Sequence, residues 1–205
     1  MSIANTSGHP ATPPRPSTGL ISPEQFWTAF QSVARDFDTR LVAAWSDTAA
    51  YTTLIRSGLF PALARELKLT CHARDYWTID AILYREKHGP PFHKRETYAE
   101  CIDVAIEHES VAERSHEEIN KLQIINTPLK VLITYPGACA NRQRYLDRYL
   151  PIIQAADTFG DISTLRRQLV IFGCKENGRI CWSAYVYAAP GFLPLAPSPV
   201  GPPSA

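Results

Sequence analysis

The sequence predicts a single α/β domain with a central mixed β-sheet flanked by helices. Three observations predict it. Helical and strand-like patterns alternate along the chain, in the order helices, two strands, helix, strand, helix, two strands. The run "PLKVLITY" (128–135) is almost continuously apolar, as a central strand covered on both faces must be. Asn177-Gly178 separates two strand-like segments, the signature of a tight hairpin.

Each element has a local cause. Ser22 can cap a helix, Pro23 suits its first position, and Gln25 completes a capping box. Phe26, Phe30, Val33, Phe37, Leu41, Ala44 and Trp45 then recur at helical spacing, which carries this helix to about residue 46. A second helical region covers 50–69, with Pro61 starting the segment that carries Glu66. "DYWTIDAILY" (75–84) and "TYAECIDVAIE" (97–107) read as strands joined by a long hairpin through "REKHGPPFHKR". Ser110 and Glu113 form a second potential capping box, opening a helix over about 111–126 that Pro128 stops. Residues 141–158 read as a helix that Pro151 should kink or split. "RQLVIFGC" and "RICWSAYVYAA" supply the last two strands.

Residues 1–21 and 190–205 are rich in Pro, Ser, Thr and Gly with little to bury, so both are expected to be disordered tails around a domain of 22–189. The formal net charge of +1 gives no global pull towards nucleic acid or anionic membrane, so a polyanion site would have to be a local patch. Five cysteines, none in a C-x-x-C pair, argue against a disulfide framework or a structural zinc knot. No apolar run spans a bilayer, and the N-terminus lacks the apolar core of a signal peptide, so a soluble cytoplasmic protein with no membrane association is expected. The absence of G-x-S-x-G, Walker and G-x-G-x-x-G motifs removes the commonest hydrolase, NTPase and dinucleotide readings.

The chemistry concentrates in "CIDVAIEHES" (101–110). Ile102, Val104 and Ile106 alternate as a half-buried strand, and Glu107 and Glu109 then share one face while His108 points to the other. Two such glutamates repel unless a cation lies between them, or they are simply solvated at a strand end. Asp80 interrupts the apolar stretch "WTIDAIL", where an acid is costly unless paired or bound to metal. A hairpin would bring Asp80 beside Glu107, and convergent carboxylates with water suit Mg²⁺.

These residues resemble the restriction-endonuclease-like PD-(D/E)XK nuclease superfamily. Asp80 in "TIDAIL" and Glu107 in "VAIEHE" match its two acids, and Glu66 in "LARELKL" resembles the acid often found on the preceding helix. The resemblance covers about 60–135. It implies a Mg²⁺-dependent (or Mn²⁺-dependent) phosphodiesterase acting on DNA or RNA, with Asp80, Glu107 and Glu109 as metal ligands and Glu66 positioning water or a second ion. The family places a lysine two residues after its glutamate, and Glu109 stands there instead. Lys121 in "EEINKLQ" and Lys130 in "PLKVLITY" are the two candidates to replace it, although Lys121 could equally form an ordinary helical pair with Glu117.

The missing lysine leaves open a catalytically inactive fold used to bind nucleic acid or protein. A strand end of an unrelated α/β protein is also left open. Nucleic acid is the expected partner, and a homodimer is left open. His72, His108 and His116 match no zinc spacing. The basic residues Arg85, Lys87, Lys94 and Arg95, and the helical Arg142, Arg144 and Arg148 with Arg166 and Arg167 beyond, are candidate phosphate contacts or plain solvated charge.

Overall fold

The structure is a computed structural model that describes residues 19–74, 76, 78–85, 92–93, 96–97 and 102–197. Its first helix, α1 (Pro23–Ala44), begins with the expected capping box: Gln25 N–H donates to Ser22 Oγ at 3.2 Å and Ser22 N–H to Gln25 Oε1 at 2.9 Å. The next helical region is continuous but not uniform. Helix α2 (Thr48–Leu54) passes through a π-helical segment (Ile55–Leu59) into α3 (Phe60–Glu66).

Helix α3 ends in a left-handed residue, Lys68 at φ 57°, and the chain turns into a short strand, β1 (Thr70–His72). The expected strand 75–84 shortens to β2 (Ala81–Tyr84). Backbone bonds between Tyr76 and Ile79, at 2.8 and 2.9 Å, close a turn with Thr78 at φ 74° just ahead of β2. Asp80 therefore stands in a bend at the entrance to β2, not within the strand.

The connection carries a two-residue ribbon, β3 (Phe92–His93) with β4 (Glu96–Thr97). Lys87, Lys94 and Arg95 lie outside the described residues. The next strand is β5 (Val104–Glu109), later in starting and later in ending than the pattern predicts. Ile102 lies before it and packs with the opposite layer from Val104 and Ile106. The α-helix that follows is α4 (Ser115–Ile124). It starts four residues later than the pattern predicts, with Arg114 at its N-cap, and the Glu113 carboxylate accepts from Tyr145 Oη at 2.8 Å.

Strand β6 (Leu129–Thr134) is buried along its whole length. After a 3₁₀ turn (Cys139–Asn141) comes α5 (Arg142–Ala156), which runs through Pro151 without a break. Pro151 and Asp147, whose carbonyl loses its N–H partner, both stand on the exposed side, where water can replace the lost bond. Strands β7 (Arg167–Glu176) and β8 (Arg179–Ala188) form the hairpin around Asn177 and Gly178, both at positive φ. A last strand, β9 (Gly191–Leu195), pairs with β8 in a segment whose proline content predicts a tail. An edge strand tolerates Pro194. Trp27 Nε1 donates to Ala196 O at 2.9 Å and fixes this end to α1.

Among the described residues the seven-stranded sheet has the order β1-β2-β5-β6-β7-β8-β9. Strands β5, β6 and β7 are parallel and the remaining neighbours antiparallel, so the sheet is mixed, as expected. One face packs on α1–α3 through Phe26, Phe30, Leu41, Leu59, Phe60 and Leu63. The other packs on α4 and α5 through Ile119, Leu122, Tyr149 and Ile153. Full burial of such side chains contributes about 1.5–3 kcal/mol each, which makes these two layers the main stabilisation. No described helix is long and apolar enough to cross a membrane.

Candidate active site

The register of β2 against β5 builds the site. Ala81 pairs with Ile106, Ile82 with Ala105 and Leu83 with Val104, and one further step sets Asp80 beside Glu107. This is the carboxyl end of the parallel strands β5 and β6, where α/β sheets commonly place their ligands. Asp80 is bound from two sides. Its Oδ2 accepts the backbone N–H of His108 at 2.8 Å, and its Oδ1 pairs with the guanidinium of Arg56 from the π-helical segment. The cost of an acid among apolar neighbours is met by these two partners.

Glu107 is only 1% exposed and points into the α4 layer. It is no solvated strand end. Its Oε1 is buried with no donor in hydrogen-bond geometry, and the Lys121 ammonium lies 3.1 Å away. Burial, then the neighbouring charges of Asp80 and Glu118, push its pKa well above neutrality against the opposing pull of Lys121. Burial works against the Lys121 ammonium too, but Glu118 and Glu107 outweigh it and its pKa rises.

Lys121 thus pairs with Glu107 across the layers and with Glu118 one turn back, not with Glu117. Its Nζ also donates to Thr78 O at 3.4 Å, in the turn that delivers Asp80. An open cleft of about 590 Å³ adjoins this lysine, lined by Arg114, His116, Glu117, Glu118, Asn120, Lys121 and Ile152.

The other expected site residues lie elsewhere. Glu109 turns its Oε1 to accept the backbone N–H of Val111 at 2.7 Å. Parity puts it on the face of Glu107, but the strand ends there and its carboxylate closes the following turn. Glu66 is exposed in the last turn of α3, in a shallow cleft with Ile21, Glu24 and Gln25 of the α1 region. Lys130 is fully buried in β6, donating to Gln123 Oε1 at 3.3 Å, among Asp157, Asp161 and Arg166. Of the two candidate lysines, Lys121 alone touches Glu107.

His108 faces the opposite layer, packed against Tyr51, Phe60 and Tyr135, with its Nε2 2.8 Å from Tyr135 Oη. His116 meets Arg148 and Glu113, and His72 packs on Tyr76. Arg148 also donates to Glu113 O at 3.0 Å, whereas Arg142 faces Cys139 and Tyr185 on the sheet side.

Two site residues escape a reading of the sequence. Glu118 precedes Lys121 by three residues, and both flank the buried stripe of Ser115, Ile119 and Leu122, a spacing that signals a shared face. Arg56 carries no comparable signal.

The donor set fits a hard divalent ion. A buried carboxyl oxygen without an aligned donor, flanked by two further acids, becomes an anionic oxygen ligand once Glu107 gives up its proton. Among the described residues no three His, Cys, Asp or Glu side chains converge as a ready-made metal cage. Mg²⁺ needs no such cage, since one or two carboxylates and several waters hold it. In comparisons with protein-family models and with curated proteins, nothing matches this chain.

Proposed function

We propose that this chain is a metal-dependent nuclease of the PD-(D/E)XK kind that hydrolyses phosphodiester bonds in DNA or RNA. The observation that carries the reading is the meeting of Asp80, Glu107 and Lys121 from a turn, a strand and a helix. In this reading Asp80 and Glu107 hold Mg²⁺ (or Mn²⁺), and Glu118 takes the third acidic position in place of Glu109. The bound ion supplies Lewis acidity and a nucleophilic water at neutral pH. Lys121 supplies the fixed positive charge that orients water and offsets charge developing on the phosphate. His108 contributes its backbone N–H, which fixes the Asp80 carboxylate. Arg114 and Lys121 line the adjoining cleft beside Glu117 and Glu118, and in this reading offer positive charge to a phosphate backbone.

The test is cleavage of single- and double-stranded DNA and of RNA with and without Mg²⁺. The reading expects Mg²⁺-dependent cleavage that disappears in Asp80→Ala. No cleavage of any substrate by the wild type, with Asp80→Ala indistinguishable from it, would sink the proposal.

One observation favours the second reading, a non-catalytic binding module. Asp80 and Glu107 already carry cationic partners, Arg56 and Lys121, in place of a metal. That reading expects calorimetry to show no Mg²⁺ or Mn²⁺ binding at millimolar ion. Clear binding that is lost in Glu107→Ala would exclude it.

A further inference from the structure

We propose that Cys139 and Cys174 are an oxidisable pair of thiols that a hydroperoxide converts to a disulfide. The pair stands apart from Asp80 and Glu107 and does not rest on the nuclease reading.

Three of the four cysteines among the described residues gather where β7, β8 and the turn before α5 meet. Cys174 and Cys181 are direct partners across the β7–β8 ladder, so they share a face with Phe172, which packs in the α5 layer. Cys139 opens the 3₁₀ turn that leads into α5. The Cys174 thiol hydrogen-bonds Cys139, and the guanidinium of Arg142, the first residue of α5, hydrogen-bonds both sulfurs. Cys71 lies on β1, at the opposite edge of the sheet.

Access differs between the two thiols. Cys174 is 1% exposed, whereas Cys139 is only half-buried, so a reagent from solvent meets Cys139 first. Two polar atoms nearby have unspent hydrogen-bonding capacity. Arg142 Nε and Ser183 Oγ are buried with no hydrogen-bond partner, and Ser183 follows Cys181 by two residues on the same face. Both can serve the oxygens that a hydroperoxide brings.

Backbone geometry selects the partner. Counted from the two-residue turn at Asn177-Gly178, Glu176 with Arg179 and then Cys174 with Cys181 are pairs of the wider, hydrogen-bonded kind. Cβ atoms in such a pair stand about 5.5 Å apart, beyond the about 3.5–4.5 Å that a disulfide spans. Cys139 comes from another element and is already in contact with the Cys174 thiol.

The chemistry balances in two steps. The Cys139 sulfur attacks one peroxide oxygen, the O–O bond breaks, and the departing oxygen leaves as water with the thiol proton. Cys139 is then a sulfenic acid, oxidised by two electrons. The Cys174 sulfur attacks it, the S–S bond forms, the S–O bond breaks, and a second water leaves with the Cys174 proton. Burial and the contact with Cys139 hold the Cys174 thiol up at about 12, against the pull of Arg142. Only on the order of 10⁻⁵ of it is ionised at pH 7. Groups already in contact react with effective molarities of about 10⁵–10⁸ M, which offsets that fraction.

The experiment treats the reduced, folded full chain with hydrogen peroxide at neutral pH. Remaining thiols are then blocked in denaturant, and linked peptides are identified by mass spectrometry. Wild type, Cys139→Ser, Cys174→Ala and Cys181→Ser are compared, each first shown folded by circular dichroism. Wild type is expected to lose two of its five thiols to a Cys139–Cys174 link that dithiothreitol reverses. Cys181→Ser should form the same link, and Cys139→Ser should form none. Cys174→Ala should leave Cys139 as a sulfenic acid that dimedone captures. Should Cys174→Ala fail to fold, wild type and Cys181→Ser still decide the pairing. Five thiols surviving in peroxide-treated wild type overturn the proposal. So does any other link, Cys139–Cys181 and Cys174–Cys181 included, or oxidation of Cys139 to a sulfinic acid without a link.

Discussion

Glu107→Gln should make the protein more stable and inactive at once. The substitution keeps the shape of a side chain that is 1% exposed and removes its charge. An unfolded glutamate titrates near 4.5, whereas burial with Asp80 and Glu118 nearby holds the folded one protonated beyond neutrality. The sign follows: a raised folded pKa gives stability that is complete below pH 4.5 and is given up as the pH rises. At pH 7 that loss spans about 2.5 pH units, or about 3 kcal/mol at about 1.4 kcal/mol per unit. Lys121 retains Glu118 after the change, so little of the gain is lost to an orphaned ammonium. The expected result is a variant about 2–3 kcal/mol more stable at pH 7, a rise in melting temperature of about 5–10 °C. Near pH 4.5 the difference should shrink to below about 0.5 kcal/mol. Urea denaturation at the two pH values measures both. If Glu107→Gln is less stable than wild type at pH 7, or its advantage is the same at both pH values, Glu107 is an ordinary paired structural acid and the reasoning fails.

Two further predictions concern titrating groups away from that acid. Burial, with Arg56 assisting against Asp80, pushes His108 down to about 4, so the fold keeps it neutral. As pH falls from 6.5 towards 4 the unfolded chain takes up that proton first. The protein should lose about 3 kcal/mol over this window, and His108→Phe should flatten this limb of a stability–pH curve. Burial and then Arg166 lower Lys130 to about 8 against the pull of Asp161 and Asp157. The unfolded lysine keeps its proton to about 10.5, so stability should rise between pH 8 and pH 10.5. Lys130→Met should remove that rise and stabilise the protein at pH 7 by about 2–3 kcal/mol, read from denaturation midpoints.

What was legible in the sequence was what short-range physics determines. The Ser22–Gln25 cap, the apolar β6 run and the Asn177-Gly178 turn each specify their geometry within a few residues. The failures are of a different kind. Thr78 and Lys68 adopt left-handed backbone without being glycine, so nothing local announces the turn before Asp80 or the start of β1. Strand β9 lies in a proline-rich segment and becomes a strand only because the edge of β8 and the indole of Trp27 receive it.

The site divides along the same line. Asp80 and Glu107 are visible because acids among apolar residues need an explanation, and Lys121 because the motif lacks its lysine. Arg56 stands twenty-four residues from its partner in a helical stretch with no motif, and only the tertiary fold brings it to Asp80. Glu109 misleads because a strand alternation fixes the face of a side chain but not whether the strand continues far enough to use it.

The central claim is that Lys121, working beside Asp80 and Glu107, replaces the lysine that Glu109 displaces. Mg²⁺-dependent cleavage of a labelled oligonucleotide by Lys121→Ala and Lys130→Met, measured beside wild type, tests it most directly. The account predicts a loss of at least about a hundredfold in Lys121→Ala, the scale of removing one charge-stabilising group, and near wild-type cleavage in Lys130→Met. Full activity in Lys121→Ala would contradict it.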